Sequence, residues 1–153
     1  MKAETRLFGT IEIADDKVIK MEKGMIGFPD LQHFALIFDE ERGLEKSNIM
    51  WLQSMDDADI AFPVMMPGKI KPDYDPKVSD EMIAPLGDLT QDNTYLLVTV
   101  TVPKDMTQMA INLKAPIVIN TDNRKAVQLI VEDDYPIKFN VYEAVKDRKK
   151  AEE

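Results

Sequence analysis

The sequence predicts a mainly β protein, built as a small antiparallel β-barrel-like single domain with one or two short helices. Apolar and polar residues alternate with a period of two in several short segments, as they do in strands with one buried face. Turn-forming residues separate these segments at modest spacing, which favours antiparallel strands. The 153 residues fit one domain that can bury its own core. A β-sandwich is the alternative architecture.

The first third of the chain is predicted to contain three strands, at Thr5–Ile13, Val18–Met21 and Phe34–Phe38. Asp15 and Asp16 mark the turn between the first two strands. Pro29 and Asp30 are predicted to open a short helical turn before the third strand, because proline suits the first position of a helix. This part of the chain therefore reads as two paired strands, a turn and a further strand.

A hairpin is predicted in the middle of the chain, with strands at Met50–Ser54 and Ile60–Met66. The charged loop Glu40–Ser47 precedes it, and an acidic turn at residues 56–59 joins its two strands. The proline-rich passage that follows cannot be a central strand, because proline donates no ladder hydrogen bond. Within that passage, Ser79 is placed to cap a short helix that runs to Leu86 and ends at Gly87.

The last third of the chain contains the most regular predicted strand, Tyr95–Val102. Two further strands are predicted around Pro116, joined by a turn near Asp122–Asn123. Residues 1–142 are therefore expected to form the β domain. Residues 143–153 form a charged tail that is either helical or disordered.

The net charge of −9, from 28 acidic and 19 basic residues, restricts the partners of this protein. Such a surface repels nucleic-acid phosphates, so direct nucleic-acid binding is not expected, whereas a basic protein partner is attracted. The absence of cysteine excludes disulfides and thiol nucleophiles. The sequence has neither a signal peptide nor an apolar stretch of about 18 residues. We therefore expect a cytoplasmic protein with no membrane association.

The sequence contains no motif that supports a catalytic or metal site. The one histidine, His33, has no evident Ser and Asp partners for a triad. The acidic groups at residues 56–59 and at Asp73 and Asp75 lack the spacing of a calcium loop. We therefore expect a protein without enzymatic activity, cofactor or metal. A small β-barrel enzyme that acts through acidic residues is the alternative.

Met65 and Met66 are candidates for contact with a protein partner. The sequence contains ten methionines, and flexible, polarisable methionine side chains often line surfaces that accept helices. Methionine also fills gaps in apolar cores, so both interpretations apply to each residue.

Four polar residues, Asn112, Lys114, Asn120 and Asn123, interrupt a stretch of the chain that is otherwise strand-like. Alternation places Asn112 and Lys114 on one face of a strand. The four side chains either satisfy backbone groups freed around Pro116 or hydrogen-bond the backbone of a partner.

Five segments of the chain, taken together, resemble a known family in their order and spacing: FGTIEI (8–13), GMIGFPDLQHFAL (24–36), WLQSMDDADIAFPV (51–64), VTVPKDMTQMAINLKAPIVINTDNRKAVQ (100–128) and DYPIKF (134–139). The family is that of the flagellar assembly factor FliW. The resemblance covers nearly the whole chain, from Thr5 to Pro136.

The resemblance implies a small non-catalytic protein that binds flagellin, the filament subunit, through the helical C-terminal region of flagellin. It also implies that the protein, when free of flagellin, binds and allosterically antagonises CsrA, a repressor of flagellin translation. A flagellin-only chaperone without CsrA binding is a further alternative. The acidic turn is the expected contact for basic CsrA. The expected partner-binding residues are Asp56, Asp57, Asp59, Met65, Met66, Asn112, Lys114, Asn120 and Asn123.

Overall fold

The computed structural model describes residues 1–38 and 49–152 of the chain. The predicted loop Glu40–Ser47 therefore lies entirely outside the described residues. Short strands and tight turns dominate the described part, with one short and one longer α-helix.

Within the described residues the chain forms eleven strands: β1 Lys2–Thr5, β2 Gly9–Glu12, β3 Ile19–Lys20, β4 His33–Phe38, β5 Met50–Ser54, β6 Ala61–Met65, β7 Thr94–Thr101, β8 Ala110–Ile111, β9 Ile117–Asn120, β10 Ala126–Gln128 and β11 Phe139–Asn140. The α-helices are α1 Asp80–Ile83 and α2 Val141–Glu152. Every pairing between these strands is antiparallel. The mainly β, antiparallel fold class is confirmed.

The main sheet follows the strand order β10-β9-β7-β6-β5-β4-β3, and β8 joins it beside β7 and carries β11 on its other side. The sheet curls so far that its end strands approach each other. The backbone N–H of Lys20 donates to the carbonyl of Arg124 at 2.8 Å, and Lys20 forms one isolated bridge with Lys125. A single bridge is not a strand ladder, so the sheet is barrel-like in curvature but not closed.

Three apolar clusters hold the curled sheet together. The inner face of the sheet buries Phe34, Leu52 and Leu97 in the first cluster. The second lies between the outer side of β7 and β8 and the start of α2, and the third lies where Leu86 packs on β9 and β10. Burial of these side chains removes apolar surface from water, which is the main force that favours this arrangement.

The predicted single strand Thr5–Ile13 is wrong, because the chain turns back between β1 and β2. The Thr5 hydroxyl donates to the Gly9 carbonyl at 2.8 Å and accepts from the Phe8 N–H at 2.9 Å. Gly9 has a positive φ of 66°, which glycine adopts at little cost. The turn at Pro29–Asp30 is also not helical, since residues 25–30 form tight turns around a bridge between Met25 and Phe28.

The predicted helix cap at Ser79 is confirmed. Its hydroxyl accepts from the Met82 N–H at 3.3 Å, and α1 continues as a 3-10 turn to Leu86. Gly87 then ends the helical segment with a φ of 82°.

The tail is helical over its described residues, and the expected domain boundary after residue 142 falls inside α2. Val141, at the start of α2, is 4% exposed and packs in the second apolar cluster. The Asn140 side chain accepts from the Glu143 N–H at 2.8 Å, which satisfies a donor in the first turn. Neither α-helix of the described chain has the length and apolar character that crossing a bilayer requires.

Candidate partner-binding surface

The acidic turn between β5 and β6 has a well-defined conformation. The Ser54 hydroxyl accepts from the N–H groups of Asp56 and Asp57, at 3.2 and 3.0 Å. The Asp57 carboxylate accepts from the Asp59 N–H at 3.1 Å. These bonds hold the backbone of the turn so that Asp59 is exposed and Asp57 half-buried. The turn therefore presents negative charge at one end of the curled sheet.

Asp56 differs from Asp57 and Asp59 because its carboxylate is bonded to residues outside the turn. One oxygen accepts from the backbone N–H groups of Gln32 and His33 at 2.7 and 2.8 Å, and the other lies 3.0 Å from His33 Nδ1. Partial burial alone would raise the pKa of Asp56, but these hydrogen bonds outweigh it and lower the pKa. The Asp56 carboxylate fastens the turn to the start of β4.

We expect Asp56→Ala to lower the free energy of unfolding by about 1–2 kcal/mol at neutral pH, allowing for solvent screening of this partly exposed group. The pKa of Asp56 is lowered in the folded state, so its contribution is present above about pH 4 and disappears as the pH falls through the folded-state value. Urea denaturation at several pH values measures this difference.

Asp59→Ala is the matched control, because Asp59 is an exposed residue of the same turn and does not make the bonds of Asp56 to Gln32 and His33. Its effect on unfolding should stay within about 0.5 kcal/mol. Equal losses for the two variants at neutral pH, or a loss for Asp56→Ala that persists at low pH, would contradict the structural role of Asp56.

The two methionines lie in different environments. Met65 is 2% exposed and packs in the second apolar cluster, whereas Met66 is half-buried against the first. Met66 follows the end of β6 in extended backbone, and successive extended residues point to opposite sides, which explains the separation. Met65 is therefore a core residue that presents no surface in this structure, and Met66 does not form a methionine pair with it.

Asn112 and Lys114 do not lie on the face of a strand, because β8 ends at Ile111. The Asn112 side chain accepts from the N–H groups of Lys114 and Ala115, both at 3.1 Å, and closes a turn before Pro116. Lys114 Nζ donates to the Asp133 carbonyl at 2.7 Å. Both side chains are half-buried and bonded to their own chain.

Asn120 and Asn123 connect the turn after β9 to the end of the helical segment. Both side-chain amides donate to the Leu86 carbonyl, at 2.8 and 2.9 Å. Their oxygens accept from the N–H groups of Asp122 and Lys125 at 2.9 and 3.0 Å. Asn120 is 2% exposed, while Asn123 is exposed. These hydrogen bonds within the chain explain the four polar residues without any partner protein. Contact between these residues and a partner protein stays a prediction.

An open cavity of about 590 Å³ is lined by residues of β2, β3, β4, β7 and β9 and of the turns beside them. Its apolar lining includes Leu36, Tyr95 and Ile119, and burial raises the pKa of Tyr95. Among the described residues of this lining, Glu12 supplies the one carboxylate, and Asp73, elsewhere on the surface, pairs with Lys71 at 3.0 Å. Among the residues that the structure covers, no three acidic or histidine side chains are grouped to hold a metal ion.

Comparison with known proteins gives one consistent result. The model of the FliW protein family matches residues 2–141. A flagellar assembly factor FliW of Lachnospira eligens is 42% identical over 148 residues, covering 95% of this chain and 97% of the relative. The FliW of Lachnoclostridium phytofermentans is 39% identical, covering 100% and 98% of the two chains. A crystal structure of the flagellar assembly factor FliW superimposes with a TM-score of 0.83 at 27% identity, covering 93% and 97%.

Proposed function

The chain belongs to the FliW family, and on that premise we propose that it is a non-catalytic flagellar assembly factor that acts in the cytoplasm by exchanging two protein partners. One partner is flagellin, recognised through its helical C-terminal region. The other is the translational repressor CsrA, which the flagellin-free protein binds and antagonises, so that flagellin synthesis resumes. The full-length match to proteins named flagellar assembly factor FliW carries this proposal.

The charge of the protein supports the CsrA half of the proposal. The chain carries a net charge of −9, and the rigid acidic turn concentrates part of it at one end of the sheet. Exposed charges of this kind steer a basic partner to the surface and make the association rate depend on salt. Because the Asp56 carboxylate is occupied within the protein, Asp57 and Asp59 are the residues of this turn that we expect to face CsrA.

Calorimetric titration tests the proposed exchange. We expect the protein to bind CsrA, and to lose that binding when it is first saturated with a C-terminal fragment of flagellin. The reason is mass action between ligands that cannot be bound together: a competitor at 100 times its Kd weakens the apparent affinity for the other about 100-fold.

Each result has a different consequence for the proposal. Simultaneous binding of both partners would refute the exchange. Binding of flagellin without any binding of CsrA would leave a flagellin chaperone and remove the translational half. The enzyme alternative needs several acidic residues in one cleft, and Glu12 supplies the one carboxylate among the described residues that line the open cavity.

A further inference from the structure

A tight turn at residues 24–28 projects two apolar side chains into solvent. Ile26 is 50% exposed and Phe28 is 40% exposed, although both belong to residue types that are usually buried. The ring of Phe28 packs edge-to-face on Phe62, with 5.3 Å between the centroids, and Phe62 in turn packs on the buried Phe34 at 6.2 Å. A row of rings thus connects the exposed turn with the core.

The turn is held rigidly by hydrogen bonds at both ends and at its tip. Met25 and Phe28 exchange backbone bonds, with N···O distances of 3.2 and 2.7 Å. The Ile26 N–H donates to the side-chain oxygen of Gln128 at 2.8 Å, which fixes the tip to β10. An apolar group held in place before binding loses little conformational freedom when a partner covers it.

The exposed turn lies beside the acidic turn. The Leu31 N–H donates to the Phe28 carbonyl. The N–H groups of the next two residues, Gln32 and His33, donate to the Asp56 carboxylate. Phe62 follows the acidic turn on β6. The acidic side chains of Asp30, Asp57 and Asp59 lie in the segments on the acidic-turn side of this patch, whereas Lys20, Lys23 and Lys125 lie on its β10 side. The protein as a whole carries a net charge of −9.

We propose that Ile26, Phe28 and Phe62 form the apolar centre of a docking surface for a basic amphipathic helix, with Asp30, Asp57 and Asp59 as its acidic border. Apolar residues on one face of the helix cover Ile26 and Phe28, and Lys or Arg residues beside that face meet the carboxylates. Charge complementarity selects a basic helix over an acidic one. The inference rests on the proposed function and assigns a surface to the basic partner.

Ile26→Ser tests this surface. The side chain is half-exposed and the substitution keeps the backbone bond to Gln128, so folding is preserved. With CsrA as the probe, we expect the Kd to rise roughly tenfold or more, as for an anchor at the centre of an interface. Phe28→Ser should act similarly, and the conservative Ile26→Leu should retain most of the affinity.

Ile137→Ser is the matched control, because Ile137 is 65% exposed and lies on the segment before β11. Its Kd for CsrA should match that of the wild type. The border charges give a second readout, since Asp59→Asn should weaken the dependence of the association rate on salt.

The outcomes separate this inference from the function on which it rests. A wild-type protein that binds no CsrA would overturn the proposed function and the basic partner assigned here. Wild-type binding that Ile26→Ser and Phe28→Ser leave unchanged would overturn the docking surface alone. If Ile26→Ser and Phe28→Ser weakened binding of the flagellin fragment but not of CsrA, the choice of a basic helix would be overturned.

Discussion

Gly24→Ala should lower the free energy of unfolding by about 3 kcal/mol, because two independent penalties act on the new side chain. Gly24 has a φ of +65°, a conformation that disfavours any Cβ. A Cβ there would also collide with the carbonyl oxygen of Phe28 and lie 2.7 Å from Pro29 Cα. Both obstacles belong to the backbone, so the turn must open, and Met25, which is part of the core, must shift with it.

Gly27→Ala provides the control for this substitution. Gly27 lies in the same turn with a φ of +88°, but a Cβ there would meet no atom within 4 Å. It carries the backbone penalty without the collision, so we expect a loss of about 1 kcal/mol. Urea denaturation of both variants measures the difference. Equal losses would show that the turn relaxes freely, which would also weaken its description as a rigid support for Ile26 and Phe28.

Local patterns in the sequence were sufficient to predict much of the fold. The strand-forming residues of Met50–Ser54 and Tyr95–Val102 correspond to β5 and most of β7, although both faces of these strands carry buried residues. The cap at Ser79 and the stop at Gly87 were predicted for the same reason, since both depend on atoms within a few residues.

Features that depend on distant parts of the chain could not be predicted in this way. Apart from Phe8, which interrupts the polar face, alternation continues across the turn between β1 and β2, so it does not reveal the reversal. The curl of the sheet depends on the bond between Lys20 and Arg124, and the tip of the exposed turn on the bond between Ile26 and Gln128. Those partners are about 100 residues apart, beyond any local pattern.

In the candidate surface, too, local sequence patterns predict some features, and contacts between distant residues determine the others. Residues 56–59 were predicted as an acidic turn, but the internal role of Asp56 depends on the β4–β5 pairing that brings Gln32 and His33 beside it. The apolar patch at Ile26 and Phe28 was missed. A local signal for it exists, because Gly24 and Gly27 permit a tight turn while the residues between and after them are apolar.

Asn120→Ala should lower the free energy of unfolding by about 2 kcal/mol, even though it removes only a polar group from an apolar region. The buried amide donates to the Leu86 carbonyl, and its oxygen accepts from the Asp122 N–H. Its removal takes away the buried bond to the Leu86 carbonyl and leaves a small cavity behind, and both effects destabilise the folded state. The amide therefore stabilises the contact between the turn after β9 and the end of the helical segment.

Asn123→Ala decides whether burial or the shared acceptor accounts for that loss. Both amides donate to the same Leu86 carbonyl at nearly equal distances, 2.8 and 2.9 Å, but Asn123 is exposed. Water replaces the bonds of an exposed amide, so we expect Asn123→Ala to cost less than about 1 kcal/mol. Similar losses for both variants in urea denaturation would mean that the bond to Leu86 itself, rather than the burial of Asn120, holds the two segments together. A loss of CsrA affinity in Asn123→Ala without any loss of stability would instead favour the partner contact over the structural role for that residue.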